Sequence, residues 1–131
     1  MADWATVKSF LYSNYKVNEE IANGDGLRLV FNTGDLRSQA VYIFHSPLGN
    51  GDQWLQVSSP IGDYDSIDLR ACLEEASEYV CGGIALVGDL VVFRDAVPMS
   101  SLDINELVQP IELIVNTADK LERQFAKVDR F

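Results

Sequence analysis

The strongest structural signal in this chain is a β-hairpin in its second half. Residues 84–87 and 90–93 are apolar runs rich in β-branched side chains, and only Gly88 and Asp89 lie between them. A two-residue turn of this composition joins neighbouring antiparallel strands, because its backbone twist matches that of the strands. Neither run alternates with polar residues, so the pattern predicts strands that are covered on both faces.

Three further segments before the hairpin have the character of strands. They cover residues 27–32, 38–46 and 53–59, and turn residues rich in glycine, proline, asparagine and aspartate separate them. The connections are too short to contain crossover helices, so the three segments predict an antiparallel meander. The stretch at residues 60–66 is interpreted as a loop that leads into a helix.

Three segments carry apolar residues at helical spacing. The first covers residues 3–15 and is capped by its aspartate. The second follows a cap at Asp65 or Ser66 and continues to Val80, where two glycines end it. The third is predicted over residues 110–127 with its proline at the first helical position.

These segments give the order α-β-β-β-α-β-β-α in one domain that covers residues 1–131. A chain of 131 residues is long enough to close a hydrophobic core without metals or disulfides. We predict an α+β fold in which a five-stranded antiparallel sheet packs with three helices. Asp103 and Glu106 have the spacing of a capping box, which predicts a short turn before the third helix.

The acidic composition argues against two classes of partner. Twenty acidic and ten basic side chains give a formal net charge of −10, which repels nucleic-acid phosphates and anionic lipid headgroups. We therefore expect no nucleic-acid and no membrane partner. No secretory signal or membrane span is evident, and Cys72 and Cys81 are interpreted as buried free thiols. These features together predict a cytoplasmic location.

The sequence shows no pattern of catalytic, cofactor-binding or metal-binding residues. His45 is the only histidine, and no partners converge on it in the sequence, so we interpret it as a surface or edge residue. Asp25 with Asp35, and the acidic residues at 63–68, lack the ligand spacing of a calcium loop. We predict no catalytic residue, no cofactor and no metal, and we do not expect an enzyme.

Four segments of the chain are similar to a known family. They are the third strand at residues 54–60, the hairpin at 83–94, the connector at 97–99 and part of the last helix at 118–121. Together with the order of elements, they resemble the YbjN-like family, described broadly as sensory transduction regulators, of the type III secretion chaperone-like superfamily. The resemblance implies a type III secretion chaperone-like fold. It also implies a small bacterial protein, often a homodimer, that binds polypeptide and does not transform a substrate.

The resemblance further implies where a homodimer would form. In secretion chaperones the second helix and its neighbouring strand commonly contribute to the dimer contact. Here residues 63–78 carry six acidic side chains and one basic side chain, and like charges that face each other across a twofold axis repel. We expect a homodimer whose contact avoids the exposed acidic face of the second helix.

The apolar strands supply the predicted binding site. Val30, Tyr42, Phe44 and Trp54 are predicted to share one face of the sheet and to bind a partner. Burial of one such aromatic side chain is worth about 2 kcal/mol, so a cluster left in water is unfavourable. Two alternatives would cover it: a helix of the same chain, or a second subunit or bound segment.

We therefore predict a non-enzymatic protein-binding domain, chaperone-like or regulatory, that captures a polypeptide segment on an apolar sheet surface with an acidic rim. The partner is expected to be basic or amphipathic, since apolar contacts supply affinity and carboxylates select the sign of the charge. The alternatives are a purely structural self-associating subunit and a small enzyme with an unrecognised pocket. Replacement of Trp54 by alanine is predicted to weaken binding or dimerisation while leaving the fold intact.

Overall fold

The computed structural model describes residues 3–34 and 36–126. The described chain contains three α-helices, six β-strands and two short 3₁₀ turns, at Ala22–Gly24 and Ile104–Leu107. In chain order the helices and strands are α1 Trp4–Asn14, β1 Val17–Ile21, β2 Gly26–Gly34, β3 Arg37–Pro47, β4 Gln53–Asp63, α2 Leu69–Ala76, β5 Gly83–Val87, β6 Leu90–Pro98 and α3 Val108–Phe125.

All six strands form one antiparallel sheet in the order β1-β2-β3-β4-β6-β5. The predicted meander is confirmed as β2-β3-β4, and the predicted hairpin is confirmed as β5-β6. The predicted α+β class with three helices is also confirmed, but the prediction of five strands is wrong. The missed strand, β1, lies at the edge of the sheet, and only Val17 and Ile21 at its two ends are half-buried. An edge strand of this kind carries no alternating apolar pattern, so its sequence gives little indication of a strand.

Strands β4 and β6 are longer than the sequence predicts. Residues 60–63 belong to β4 and not to a loop, because β6 pairs along them as far as Asp63. The register shifts between Pro60 and Gly62, and a bulge of this kind accommodates a proline that has no N–H to donate. Strand β6 also continues beyond Phe93, where the sequence predicts its end, to Pro98.

The helices share one face of the sheet, where the hydrophobic core lies. Val7 and Leu11 of α1 and the inward side of α3 join the same buried cluster as alternate residues of the four central strands. The fully buried strand residues of this cluster are Leu27, Leu29, Val41, Ile43, Leu55, Val57, Ile61 and Phe93. Since successive strand residues point to opposite faces, the residues between them point away from the helices.

The second helix is shorter than predicted at both ends. Ile67 forms an isolated bridge with Ala126, which keeps the chain extended there, so Asp68 and not Asp65 or Ser66 caps the helix. The helix ends at Ala76, and Val80, placed on its buried side by the sequence pattern, is 99% exposed.

The two cysteines differ in their surroundings. Cys72 lies in the core, and burial raises the pKa of its thiol to about 11. Cys81 follows the early end of α2 and is exposed, so the prediction that both thiols are buried is wrong for Cys81.

The third helix begins two residues earlier than predicted. The capping box of Asp103 and Glu106 is confirmed, and the short turn that it starts runs directly into α3 at Val108. Pro110 therefore lies in the first turn of α3, where its missing N–H would have had no intrahelical partner. The predicted end of this helix at Lys127 lies outside the described residues.

A nearly buried ionic cluster fixes α3 to the start of β3. Arg37 Nη2 lies 3.0 Å from Asp119 Oδ1 and 3.5 Å from Glu122 Oε1. Asp119 and Glu122 are only 4% and 2% exposed. Asp119 also accepts a hydrogen bond from Thr33 and lies near Arg123, which is more exposed.

Candidate functional site

The sheet face that points away from the helices is the candidate site. Along the central strands its residues form cross-strand rows, such as Arg28–Tyr42–Ser58–Arg94 and Ser46–Trp54–Pro98. All three helices pack on the opposite face, so this surface is not covered by a helix of the described chain. We call it the open face, and its larger side chains are Arg28, Val30, Tyr42, Phe44, Trp54, Pro60, Val92 and Arg94.

A groove of about 350 Å³ runs across the open face. Residues of five strands line it, from the edge strand β1 to the hairpin turn between β5 and β6. The lining residues are Ile21, Tyr42, Phe44, Gln56, Ser58, Pro60, Val87, Leu90, Val92 and Arg94. Seven of these ten are apolar or aromatic, so the groove suits an apolar occupant that is held by a few polar contacts.

Two stacked aromatic rings form one wall of the groove. The ring centroids of Tyr42 and Phe44 lie 6.3 Å apart with an angle of 8° between the ring planes. Gly26, the register partner of Phe44 in β2, permits this position: a Cβ atom there would lie 2.8 Å from the Phe44 ring. A larger residue at position 26 would displace the ring, so the glycine is needed for a close approach.

The four residues predicted to bind a partner lie on the same face. Val30, Tyr42, Phe44 and Trp54 are each half-buried, and all four belong to the open face. Tyr42 and Phe44 line the groove, whereas Trp54 lies beyond its end, next to Ser46 and Pro98 in the register. Val30 is farther along β2, opposite Ala40. Their role in binding remains a prediction.

Sequence reasoning missed most of the remaining groove. Ile21 belongs to the unpredicted strand β1, and Arg94 follows the predicted end of the last strand. Val92 lies in the hairpin, whose place beside β4 depends on a long-range pairing. A hydrophobic pattern shows that a strand has two apolar faces. Which residues of different strands come together in the groove depends on how the strands pair.

The charges of the groove differ from those of the whole protein. Among the described residues that line it, none is acidic, and Arg94 is the one charged group. Acidic residues occur at the margin of the open face: Glu19 pairs with Arg28 in the register, and Asp63 pairs with Leu90. The arginine therefore lies among apolar side chains, and carboxylates lie near the periphery.

His45 has a structural environment in this fold. Its ring stacks on Trp4 with the centroids 5.6 Å apart, and the Trp4 indole N–H donates a hydrogen bond to the Gly24 carbonyl. His45 Nδ1 lies 3.5 Å from Asp25 Oδ1, and Nε2 contacts the Gln53 side-chain oxygen. These contacts join α1 to the end of β3.

Within residues 3–34 and 36–126, no group of three or more histidine, cysteine, aspartate or glutamate side chains is arranged to hold a metal ion. Asp35, part of one acidic pattern in the sequence, lies outside the described residues. In the same part of the chain, no helix combines the length and the apolar character needed to cross a membrane.

Comparison with known proteins shows a likeness of fold. The chain matches no known family model, and no curated protein matches it. Among solved structures, a chain of the HopA1–SchA chaperone–effector complex superposes with a TM-score of 0.62 at 10% sequence identity, over 89% of this chain and 90% of that chain. This likeness supports the predicted secretion-chaperone-like fold, and at 10% identity it concerns the fold alone.

Proposed function

We propose that this protein is a non-enzymatic, chaperone-like domain that captures a polypeptide segment on its open face. The likeness of fold to a chain of a chaperone–effector complex supports this proposal, and so does the resemblance to the YbjN-like family. The protein would act in the cytosol, where free thiols such as those of Cys72 and Cys81 persist.

The observation that carries the proposal is the aromatic wall of the groove. Tyr42 and Phe44 are held in place by strand pairing and by the close approach at Gly26, yet no helix of the described chain packs over them. Half-buried aromatic side chains that are fixed in position bind with little loss of conformational entropy. A bound segment that covers them would remove apolar area from water at about 25 cal/mol for each Å².

The partner segment is proposed to be amphipathic and to belong to a chain with basic residues. Its apolar side chains would lie in the groove, while basic residues outside the groove would meet the carboxylates at the margin, among them Glu19 and Asp63. The net charge of −10 would accelerate association with such a chain, and this contribution should weaken with added salt.

The test uses a basic unfolded chain, reduced lysozyme alkylated with iodoacetamide, as the probe. Phe44→Ala and Trp54→Ala are each expected to weaken its binding about tenfold, which corresponds to about 1.4 kcal/mol. The measurement is fluorescence anisotropy of the labelled probe, with circular dichroism to confirm that each variant is folded.

Leu113→Ala is the matched control for this test. Leu113 is exposed on α3, on the other side of the molecule, and alanine maintains the helix. We expect its affinity for the probe to equal that of the unchanged protein. Equal weakening by Leu113→Ala, or no weakening by Phe44→Ala, would show that the open face is not the binding site. Unfolding of Trp54→Ala would assign Trp54 to the core.

We also propose that the protein forms a homodimer through the free edge of β5. The two edges of the sheet differ: β1 carries Glu19 and Glu20, whereas β5 has the uncharged sequence Gly-Ile-Ala-Leu-Val. Charges on an edge strand block pairing with another chain, and an apolar edge permits it. The exposed side chains of Leu86 on β5 and Leu73 on α2 extend the apolar surface at this edge. Such a contact avoids the acidic side chains of α2.

The expected result is a solution mass of two chains at micromolar concentration and of one chain for Leu86→Lys, measured by light scattering after size exclusion. Leu36→Lys is the control, since Leu36 is fully exposed in the turn between β2 and β3. A monomeric unchanged protein would contradict the homodimer. If Phe44→Lys and not Leu86→Lys separates the chains, the open face is itself the symmetric interface, and the structural-subunit alternative is correct.

A further inference from the structure

Arg94 lies within the groove of the open face. Its register partners are Ser58 on β4 and Gly83 on β5, and it lines the groove together with Gln56. Gly83 has no side chain, so that side of the arginine is open. The guanidinium is thus placed on the proposed binding surface by the pairing of three strands.

Arg94 differs from most other basic side chains of the described structure; the exposed Lys16, which does not line the groove, is the other one that makes no hydrogen bond or ion pair. Five of them form ion pairs with carboxylates: Lys8, Arg37, Arg70, Lys120 and Arg123. Arg28, on the same face, donates a hydrogen bond to Asn18. Within residues 3–34 and 36–126, Arg94 is exposed and makes no hydrogen bond or ion pair. This occurs in a protein with twice as many acidic as basic residues.

The groove could not bind a wholly apolar segment without a loss of solvation at this arginine. An occupant that covers the guanidinium removes its water, and a charge that loses water without gaining a partner is strongly destabilised. No acidic residue lines the groove to replace that water. The partner must therefore supply the acceptor, and a carboxylate is the group that forms paired hydrogen bonds with a guanidinium.

We propose that the segment bound in the groove carries an aspartate or glutamate side chain that pairs with Arg94, flanked by apolar side chains that contact the wall of Tyr42 and Phe44. The proposal rests on the proposed function of the open face and specifies its selectivity. It changes the expectation of a basic segment: basic residues of the partner lie outside the groove, and the segment inside it is locally acidic.

The test is a selection from a displayed library of short random peptides on the unchanged protein, on Arg94→Gln and on Arg94→Glu. We expect the unchanged protein to enrich peptides with one aspartate or glutamate among apolar residues. Arg94→Gln is expected to lose this preference, and Arg94→Glu is expected to enrich lysine or arginine at the same position. For the most enriched peptide, replacement of its acidic residue by the amide should raise Kd about tenfold on the unchanged protein only.

Arg70→Gln is the matched control, because Arg70 lies on α2 and pairs with Glu74 away from the groove. It should enrich the same peptides as the unchanged protein. Enrichment that depends on Phe44 but shows no acidic preference would overturn this inference and leave the proposed function standing. Enrichment of peptides that is unaffected by Phe44→Ala would overturn both.

Discussion

Replacement of Arg37 by methionine is expected to destabilise the protein by about 3 kcal/mol. The change keeps the length of the side chain but leaves Asp119 and Glu122 without the guanidinium that lies between them. These two carboxylates are almost completely buried, so water cannot replace the lost partner. The measurement is the free energy of unfolding from urea denaturation, monitored by circular dichroism.

Arg123→Met is the control for this prediction. Arg123 faces the same Asp119 carboxylate at 3.4 Å, but its side chain is 57% exposed. An exposed pair of this kind contributes about 0.5 kcal/mol, so the control should remain near the stability of the unchanged protein. Equal losses for the two variants would mean that burial of the carboxylates does not determine the cost, and the account of this cluster would be wrong.

Replacement of Phe93 by alanine is expected to destabilise the protein by about 4 kcal/mol. Phe93 is completely buried on the helix side of β6, its ring meets Tyr79 edge to face at 5.9 Å, and the ring lies directly over Gly82. The alanine would leave a cavity next to Tyr79 and Gly82. Since domains of this size are stable by only about 5–15 kcal/mol, such a loss should lower the urea midpoint substantially.

Phe44→Ala removes the same group from the other face of the same sheet. Phe44 is half-buried and lies under no helix of the described chain, so we expect a loss of about 1 kcal/mol or less. The ratio of the two effects measures how differently the two faces are covered. A loss at Phe44 as large as that at Phe93 would show that the open face is packed like a core, which would argue against a site there.

Local signals explain which parts of the fold the sequence could predict. The hairpin turn at Gly88 and Asp89 and the capping box of Asp103 and Glu106 each depend on a few adjacent residues, and both are present in the structure. The sequence of Val17–Ile21 has no alternating apolar pattern. Strand β1 forms because this segment pairs with β2. The start of α2 depends on the pairing of Ile67 with Ala126, which follows the last helix.

The candidate site also has a part that the sequence predicts and a part that it does not. Tyr42 and Phe44 are two residues apart on one strand, so the pattern of β3 alone places them on one face. The rest of the groove requires the order of the strands: Val92 and Arg94 join it because β6 lies between β4 and β5. That order depends on the packing of segments that are far apart in the sequence, so the local patterns of a single sequence do not predict it.

The unequal edges of the sheet also limit how large an assembly can grow. A sheet that could pair at both edges would add chains without end and form a fibre. Here the glutamates of β1 oppose addition at one side, so a chain that pairs along β5 presents only charged strands at its outer borders. Assembly would therefore stop at the dimer, and the open faces of both chains would remain accessible to solvent.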